Sequence, residues 1–384
     1  MAMPTHVRSF SKINLGLAIG PPRADGFHGL TTMYQTLALH DVVTVSAVRS
    51  AETSLSITSN HPWVPPDARN TAWRMVERCL AQLDVTATVK IRIQKNLPIQ
   101  GGMGAGSANA AAALIGLESE LGMALPGPAR LELAAGIGSD VPLFLLGGAV
   151  LGLGRGEQVY PMPDLPETIC VVALPEVGVS TPQAFRDWDA LLAEKSAANS
   201  APGQDLTNFT IPDTLSELSL ALASTYAEPG TSGIFCKPER PSSEHLLDIQ
   251  GRLEKQPGAF DRSQENLQQD LAENTLLALV RTGIENDFER VVFPIHPSLR
   301  DLKRHLMGID PAGSNAPGAD FRSPDLSSSA LYASLSGSGS ALFGLYRSIA
   351  DAKAAQQRVQ AAGARAVITH TLPRTAYWRT MFAG

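Results

Sequence analysis

The sequence predicts an α+β fold in two domains, and three observations carry that expectation. The chain has 384 residues, enough for two domains that each bury their own core. From residue 1 to about 162, β-branched runs of strand length alternate with segments whose apolar residues recur at helical spacing. A second ordered block then opens on "ICVVALP" (169–175), a pattern of a buried strand. The expected domains are 1–162 and 163–384.

In chain order, "SKINLGL" is an apolar, strand-like run interrupted by Lys12. "VVTVSAV" (42–48) and "TVKIRIQ" (88–94) are strands, because β-branched residues suit a pleated, half-buried surface. Between them "TAWRMVERCLAQL" (71–83) has helical spacing, as does "SANAAAALIGLESEL" (107–121), with Ser107 near its start. "VPLFLLGGAVLGLG" follows Asp140, holds four glycines and falls short of a bilayer span, so it reads as a buried turn between core elements. Residues 189–262, rich in Ser, Pro, Gly and Ala, read as a loosely ordered insertion with one short helix at "LSELSLALAS". A second such piece spans 309–329. Order returns with "LYASLSGSGSALFGLY" (331–346), a helix-like 349–363 and a strand-like 364–370.

Composition removes several classes of function. A net charge of −6 supplies no global basic field for nucleic acid or an anionic membrane. The N-terminal segment lacks the layout of a signal peptide. Cys79, Cys170 and Cys236 are scattered without a CxxC, which suits a reducing cytoplasm rather than a disulfide scaffold. The eight histidines show no HxxxH spacing, so zinc is not expected.

The segment that bears on chemistry is "NLPIQGGMGAGSANAAAAL" (96–114). It lacks the GK[ST] ending of a P-loop and has no GxGxxG in register. It does follow a strand with Pro98, Gly101, Gly102, Gly104 and Gly106, and then starts a helix. Glycines let backbone N–H groups approach an anion, and a helix start adds unpaired donors and the positive end of a dipole. A glycine-rich turn without ligand fits the same letters equally well.

Four further segments break that tie: "SKINLGL", "RADGFH", "GSDVPLF" and "LSGSGSALF". With "PIQGGMGAGSANAA" they resemble, in order and spacing, the AKINLxL, RxDGYH, GADVPxF, SGSGxxxF and PxGGGLGGGSSNAA motifs of the GHMP superfamily, the galacto-, homoserine, mevalonate and phosphomevalonate kinases. The resemblance covers residues 7–186 and roughly 266–370, leaving out the insertions. It implies an N-terminal domain like that of ribosomal protein S5, a ferredoxin-like βαβ C-terminal domain, and a cleft between them. It implies ATP and Mg²⁺ as cofactors and a small-molecule alcohol as substrate, for a monomer or homodimer. "ADGFH" points to the cytidine-recognising branch, whose substrate is the cytidine diphosphate conjugate of methylerythritol, phosphorylated on its 2-hydroxyl. A homoserine or mevalonate kinase is the alternative.

The resemblance also assigns roles. Asp140, which on general grounds reads as a helix N-cap, becomes the base toward the substrate hydroxyl. Lys12, otherwise an edge lysine, becomes its partner and keeps it ionised. Phe27 and His28 enter the cytidine pocket by stacking and edge hydrogen bonding, joined by Asn14, Thr181 and Phe185 as further substrate contacts. ATP falls to Pro98, Gly101, Gly102, Met103, Gly104, Ala105, Gly106, Ser107, Ala108 and Asn109, with Asn70 and Lys95 on the adenine side and Ser107 as a Mg²⁺ contact. Ser336, Gly337, Ser338 and Gly339 form a second glycine loop, where the letters alone suggest a hairpin turn. The chain departs from the motif at Gln100, Met103, Ala105 and Ala108. Ala105 is compatible if its φ is negative. Ala108 removes a hydroxyl and with it an expected phosphate or metal contact.

Overall fold

In the computed structural model, which describes residues 3–23, 26–99, 101–199, 285–309 and 330–383, two long strands organise the first half. β1 (Thr5–Pro22) and β2 (His28–Arg49) pair antiparallel along most of their length. Typical strands are about five or six residues. These run longer because three separate cores cover β1 in turn. Val7 and Phe10 enter the first, Ile13 and Leu15 the second, and Leu17 and Ile19 the third. From Ser9 to Gly20 both faces of β1 are buried, the polar Lys12 and Asn14 alternating with the apolar Ile13 and Leu15. Register shifts at Phe10/Ser11 and Asn14/Gly16 bend the pair, as β-bulges do.

β2 is the spine of a six-stranded sheet. Its second half pairs with β4 (Ala87–Gln94) and its first half with β5 (Ala149–Leu153). β3 (Ser54–Ser59) lies parallel to β4, and β6 (Gln158–Pro161) antiparallel to β5. Three helices pack here: α1 (Thr71–Leu83), α2 (Ala105–Leu121) and α3 (Gly127–Ile137). α2 is buried on every side from Ala108 to Glu118, as its alanine-rich, all-round apolar sequence requires. It lies so close to the sheet that a Cβ on Gly116 would stand 2.6 Å from Val45 Cγ2.

The second sheet is wholly antiparallel, in the order β10 (Arg365–His370), β7 (Ile169–Leu174), β9 (Leu342–Tyr346), β8 (Tyr332–Leu335). Its helices are α4 (Thr181–Asn199), α5 (Glu289–Ile295), α6 (Pro297–Met307) and α7 (Ile349–Ala361). Cys170, Val172, Phe343 and Leu345 meet Ile13, Leu15, Met33 and Met103 in one shared core. The two sheets are therefore packed across a common seam. The last helix, α8 (Arg374–Arg379), returns to the first sheet, where Tyr377 Oη donates to Phe144 O at 2.6 Å.

The α+β class is as expected, and the helix at 71–83 has the bounds read from its spacing. Other expectations need correction. The strand at 42–48 is only the β-branched end of β2. Residues 141–154 are more than a turn: a 3₁₀ turn at Pro142–Leu145, two left-handed glycines and then β5. α4 continues to Asn199, past the start of the insertion placed at 189, because Ala, Leu, Glu and Lys there are good helix formers. The rest of that insertion with its short helix, residues 310–329, Gln100 and Cys236 lie outside the described residues.

Gly116→Val should lower stability by about 1–3 kcal/mol through overpacking against Val45, outweighing any gain in helix propensity. Urea unfolding would register this as a lower midpoint at unchanged slope.

Candidate active site

Strand periodicity puts Lys12 and Asn14 on the face of β1 opposite Ile13 and Leu15. Their register partners on β2 are Thr36 and Tyr34, and side chains paired across an antiparallel ladder share a face. Lys12 is buried, with 3% exposure. Its Nζ donates to Asn14 Oδ1 at 2.6 Å and lies 3.5 Å from Asp140 Oδ2, and it sits 5.4 Å from the centre of the Tyr34 ring. Tyr34 Oη donates to the other carboxylate oxygen, Asp140 Oδ1, at 3.0 Å. Burial pulls the Lys12 pKa below its ordinary value, and the Asp140 charge opposes that fall. Burial, reinforced by Asp140, pushes the Tyr34 phenol well above its usual value, so it remains a neutral donor. Asp140 stays 31% exposed, in a turn two residues ahead of the 3₁₀ segment, which carries no side-chain cap. It is therefore not an N-cap.

The glycine loop closes over this pair. Lys12 N–H donates to Met103 O at 3.1 Å, and a Cβ on Gly104 would lie 3.2 Å from Lys12 Cγ. The loop's positive φ values fall at Gly102 and Gly104, where side chains are disfavoured, and Ala105 avoids that region. The helical ladder of α2 begins with Ala108 N–H to Gly104 O, 2.8 Å. The N–H groups of Ala105, Gly106 and Ser107 precede it and have no acceptor within the helix. These three residues line a cavity of about 370 Å³ together with Pro65, Asn70 and Lys95. Ser107 Oγ faces the backbone of Gly138, in the turn that leads to Asp140.

Several residues expected to touch ATP do something else in this structure. Ala108 is buried in the core and its N–H is used within the helix, so a hydroxyl there would point away from the cavity. The Asn109 amide donates to Ser9 Oγ (2.8 Å) and Asp41 Oδ2 (3.0 Å). Asn70 caps α1, accepting from Ala72 N–H at 3.0 Å and donating to Pro65 O at 2.8 Å. Lys95 is bonded to Asp41. Asp41, fully buried, also accepts from Asn96 N–H (2.7 Å) and Leu97 N–H (2.8 Å). One carboxylate thus ties β2, the end of β4 and the start of α2 together beneath the loop. Sequence reasoning passed over Asp41, as it did Tyr34.

The "SGSGS" segment, expected as a second glycine loop rather than a hairpin turn, does connect β8 and β9 as a hairpin, and it packs against the first glycine loop. Ser336 Oγ donates to Gly102 O at 3.0 Å. A Cβ on Gly102 would lie 2.0 Å from Ser336 O, and one on Gly337 would lie 3.5 Å from Lys12 Nζ. Asn286, another residue the sequence reading missed, donates to Leu335 O (2.9 Å) and Gly337 O (2.8 Å). Its only sequence signal is that of a turn-forming Asn before a helix. Thr181 Oγ1 pairs with Ser338 Oγ at 2.7 Å. One helical turn later Phe185 stacks on His28, centroids 4.9 Å apart, and His28 Nε2 is 2.7 Å from Asp189 Oδ1. Phe27 is half exposed under the Arg155 guanidinium, 4.9 Å away. A Cβ on the adjoining Gly156 would lie 2.4 Å from Tyr34 Oη, so this turn connects the Phe27 region to Asp140.

Cys79 and Cys170 are buried; burial raises both thiols, Cys79 to about 12, which suits packing rather than nucleophilic chemistry. Among the described residues no cluster of three or more His, Cys, Asp or Glu could hold a metal, and no helix is long and apolar enough to cross a membrane.

The comparisons with known proteins agree with this geometry. The profile described as GHMP kinases N terminal domain matches residues 70–148, the span from α1 through the glycine loop and Asp140. A crystal structure titled 4-(cytidine 5'-diphospho)-2C-methyl-D-erythritol kinase superposes with a TM-score of 0.59 at 23% identity, over 95% of this chain and 98% of the other. Profile, fold and named relatives together define the class as a small-molecule kinase of the GHMP type. A protein of Solibacter usitatus named 4-diphosphocytidyl-2-C-methyl-D-erythritol kinase is 31% identical over 342 residues, 89% of this chain and 81% of that one. A Rhodococcus jostii protein of the same name is 41% identical over 206 residues, 53% of this chain and 65% of that one. The chain belongs to the 4-diphosphocytidyl-2-C-methyl-D-erythritol kinase family.

Asp41→Ala leaves Lys95 buried without its counter-charge, and should cost about 3–5 kcal/mol. Chemical denaturation would measure the loss.

Proposed function

We infer that the chain transfers the γ-phosphoryl group of ATP to the 2-hydroxyl of 4-diphosphocytidyl-2-C-methyl-D-erythritol, giving the 2-phosphate and ADP, in the non-mevalonate route to isoprenoid precursors. Membership of the family supports the reaction. The observation that carries the site assignment is the Lys12–Asp140 pair, set where the two glycine loops meet. Phosphoryl transfer needs positioning and charge stabilisation more than covalent help from the protein. The N–H groups at the start of α2 cradle the phosphates, aided by the helix dipole. Asp140 accepts the proton of the 2-hydroxyl as its oxygen attacks the γ-phosphorus and ADP departs. Lys12 and the Tyr34 hydroxyl hold the Asp140 carboxylate by both of its oxygens and aim it.

Mg²⁺ fits the residues present. It keeps several waters and binds substrate phosphates with few protein ligands, a loop Ser or Thr hydroxyl among them in other phosphoryl-transfer sites; the half-buried Ser107 hydroxyl, facing the Asp140 turn, would be such a ligand. When bound, the ion would neutralise charge on the β- and γ-phosphates. The cytidine end falls to Phe27, His28 and Phe185. His28, paired through Nε2 with Asp189 and stacked on Phe185, hydrogen-bonds the edge of the cytosine. Asn14 supports Lys12 and borders the same cleft.

Steady-state turnover with the cytidine conjugate, mevalonate and homoserine tests the reading. Activity confined to either of the last two would sink the substrate assignment. Asp140→Asn should cut kcat by about 10²–10⁴-fold, and an unchanged kcat would rule out its role as base. His28→Ala should raise KM for the cytidine substrate while leaving kcat nearly intact.

A further inference from the structure

The cavity above the glycine loop has a polar floor and an aromatic rim. Trp63, in the turn between β3 and α1, stands on that rim with 77% of its surface exposed. The turn is tied down locally. Trp63 N–H donates to His61 Nδ1 and Val64 N–H to His61 O, both at 3.3 Å. The His61 and Trp63 rings meet edge to face, their centroids 6.2 Å apart. The Trp63 side chain belongs to none of the buried clusters among the described residues. A large apolar face is thus held in water beside a phosphate-binding loop.

The polar side chains on the floor are meanwhile engaged in holding the protein together. Lys95 is bonded to Asp41, the Asn109 amide to Ser9 and Asp41, and the Asn70 amide to Pro65 O and Ala72 N–H. Strong discrimination between bases comes from polar groups left unpaired by the wrong one. Stacking does not discriminate in that way, since every base has a π-face.

We propose that Trp63 is the base clamp of this cleft: its indole stacks on the base of the bound nucleotide, so that the phosphoryl donor is selected by stacking area. Purines are then preferred over pyrimidines, with little choice between ATP and GTP. The proposal rests on the nucleotide reading of the cleft given above.

Isothermal titration of the wild-type chain, Trp63→Ala and Trp63→Phe with ATP, GTP and inorganic tripolyphosphate tests it. Tripolyphosphate occupies the glycine loop without offering a base. Trp63→Ala should weaken ATP and GTP by about tenfold or more, Trp63→Phe should recover most of that loss, and tripolyphosphate should bind all three proteins alike. As donors for the wild type, ATP and GTP should have similar kcat/KM, both above UTP. ATP binding unchanged in Trp63→Ala overturns the proposal. So does parallel loss of tripolyphosphate, which would mean a structural role, or a GTP kcat/KM less than about a hundredth of that for ATP. If the wild type bound neither ATP nor tripolyphosphate, the nucleotide reading itself would fall, and the clamp with it.

Discussion

A lysine ammonium enclosed at the seam of two sheets is the constraint on which the rest of the site depends. Lys12 is almost wholly out of water, and an unpaired buried charge is costly enough that such groups are found paired or neutral. What offsets the cost here is specific: Asn14 Oδ1, the Asp140 carboxylate and the face of Tyr34. These groups come from one strand, its neighbour and the turn before the 3₁₀ segment. The pair therefore exists only when β1, β2 and that turn are all in place. The same enclosure that lowers the Lys12 pKa strengthens every electrostatic interaction within it, including the one between Lys12 and Asp140.

The proposed phosphate cradle is built by backbone and held from beneath. Gly102 and the Ser336 carbonyl approach so closely that no side chain fits between them. The first loop thus takes its shape partly from a hairpin in the other sheet. Asn286 fixes that hairpin through two carbonyls. Asp41 fixes the first loop through Lys95, Asn109 and the backbone of Asn96 and Leu97. Donors arranged in this way need little reorganisation when a phosphate arrives, and preorganisation is the main source of electrostatic catalysis.

Much of this was legible in the sequence, and the part that was not has physical reasons. α1 declares itself by periodicity because one of its faces meets the core while the other meets solvent. β1 alternates polar and apolar residues only from Ser11 to Leu15, and because three cores bury both of its faces in turn the pattern does not mark its full length. The glycine loop could be read as a phosphate cradle only through its likeness to a known motif, since its letters serve a plain turn equally well. Lys12 and Asp140 are distant in sequence and meet through tertiary folding, so spacing alone gives no hint of the pair; resemblance supplied it. Tyr34 and Asp41 escaped because their roles depend on strand register and burial. Ala108 was expected at the ligand, but helical periodicity turns it into the core.

The central claim is that Lys12 and Asp140 act as one unit. A double-mutant cycle on kcat with Lys12→Met, Asp140→Asn and the combined variant tests it most directly. The account predicts that each single substitution costs a large factor and that the double variant loses little more than the worse single one, as expected for groups that work together. Losses that multiply, with the double variant slower by the product of the two factors, would show the two residues acting independently and contradict the account.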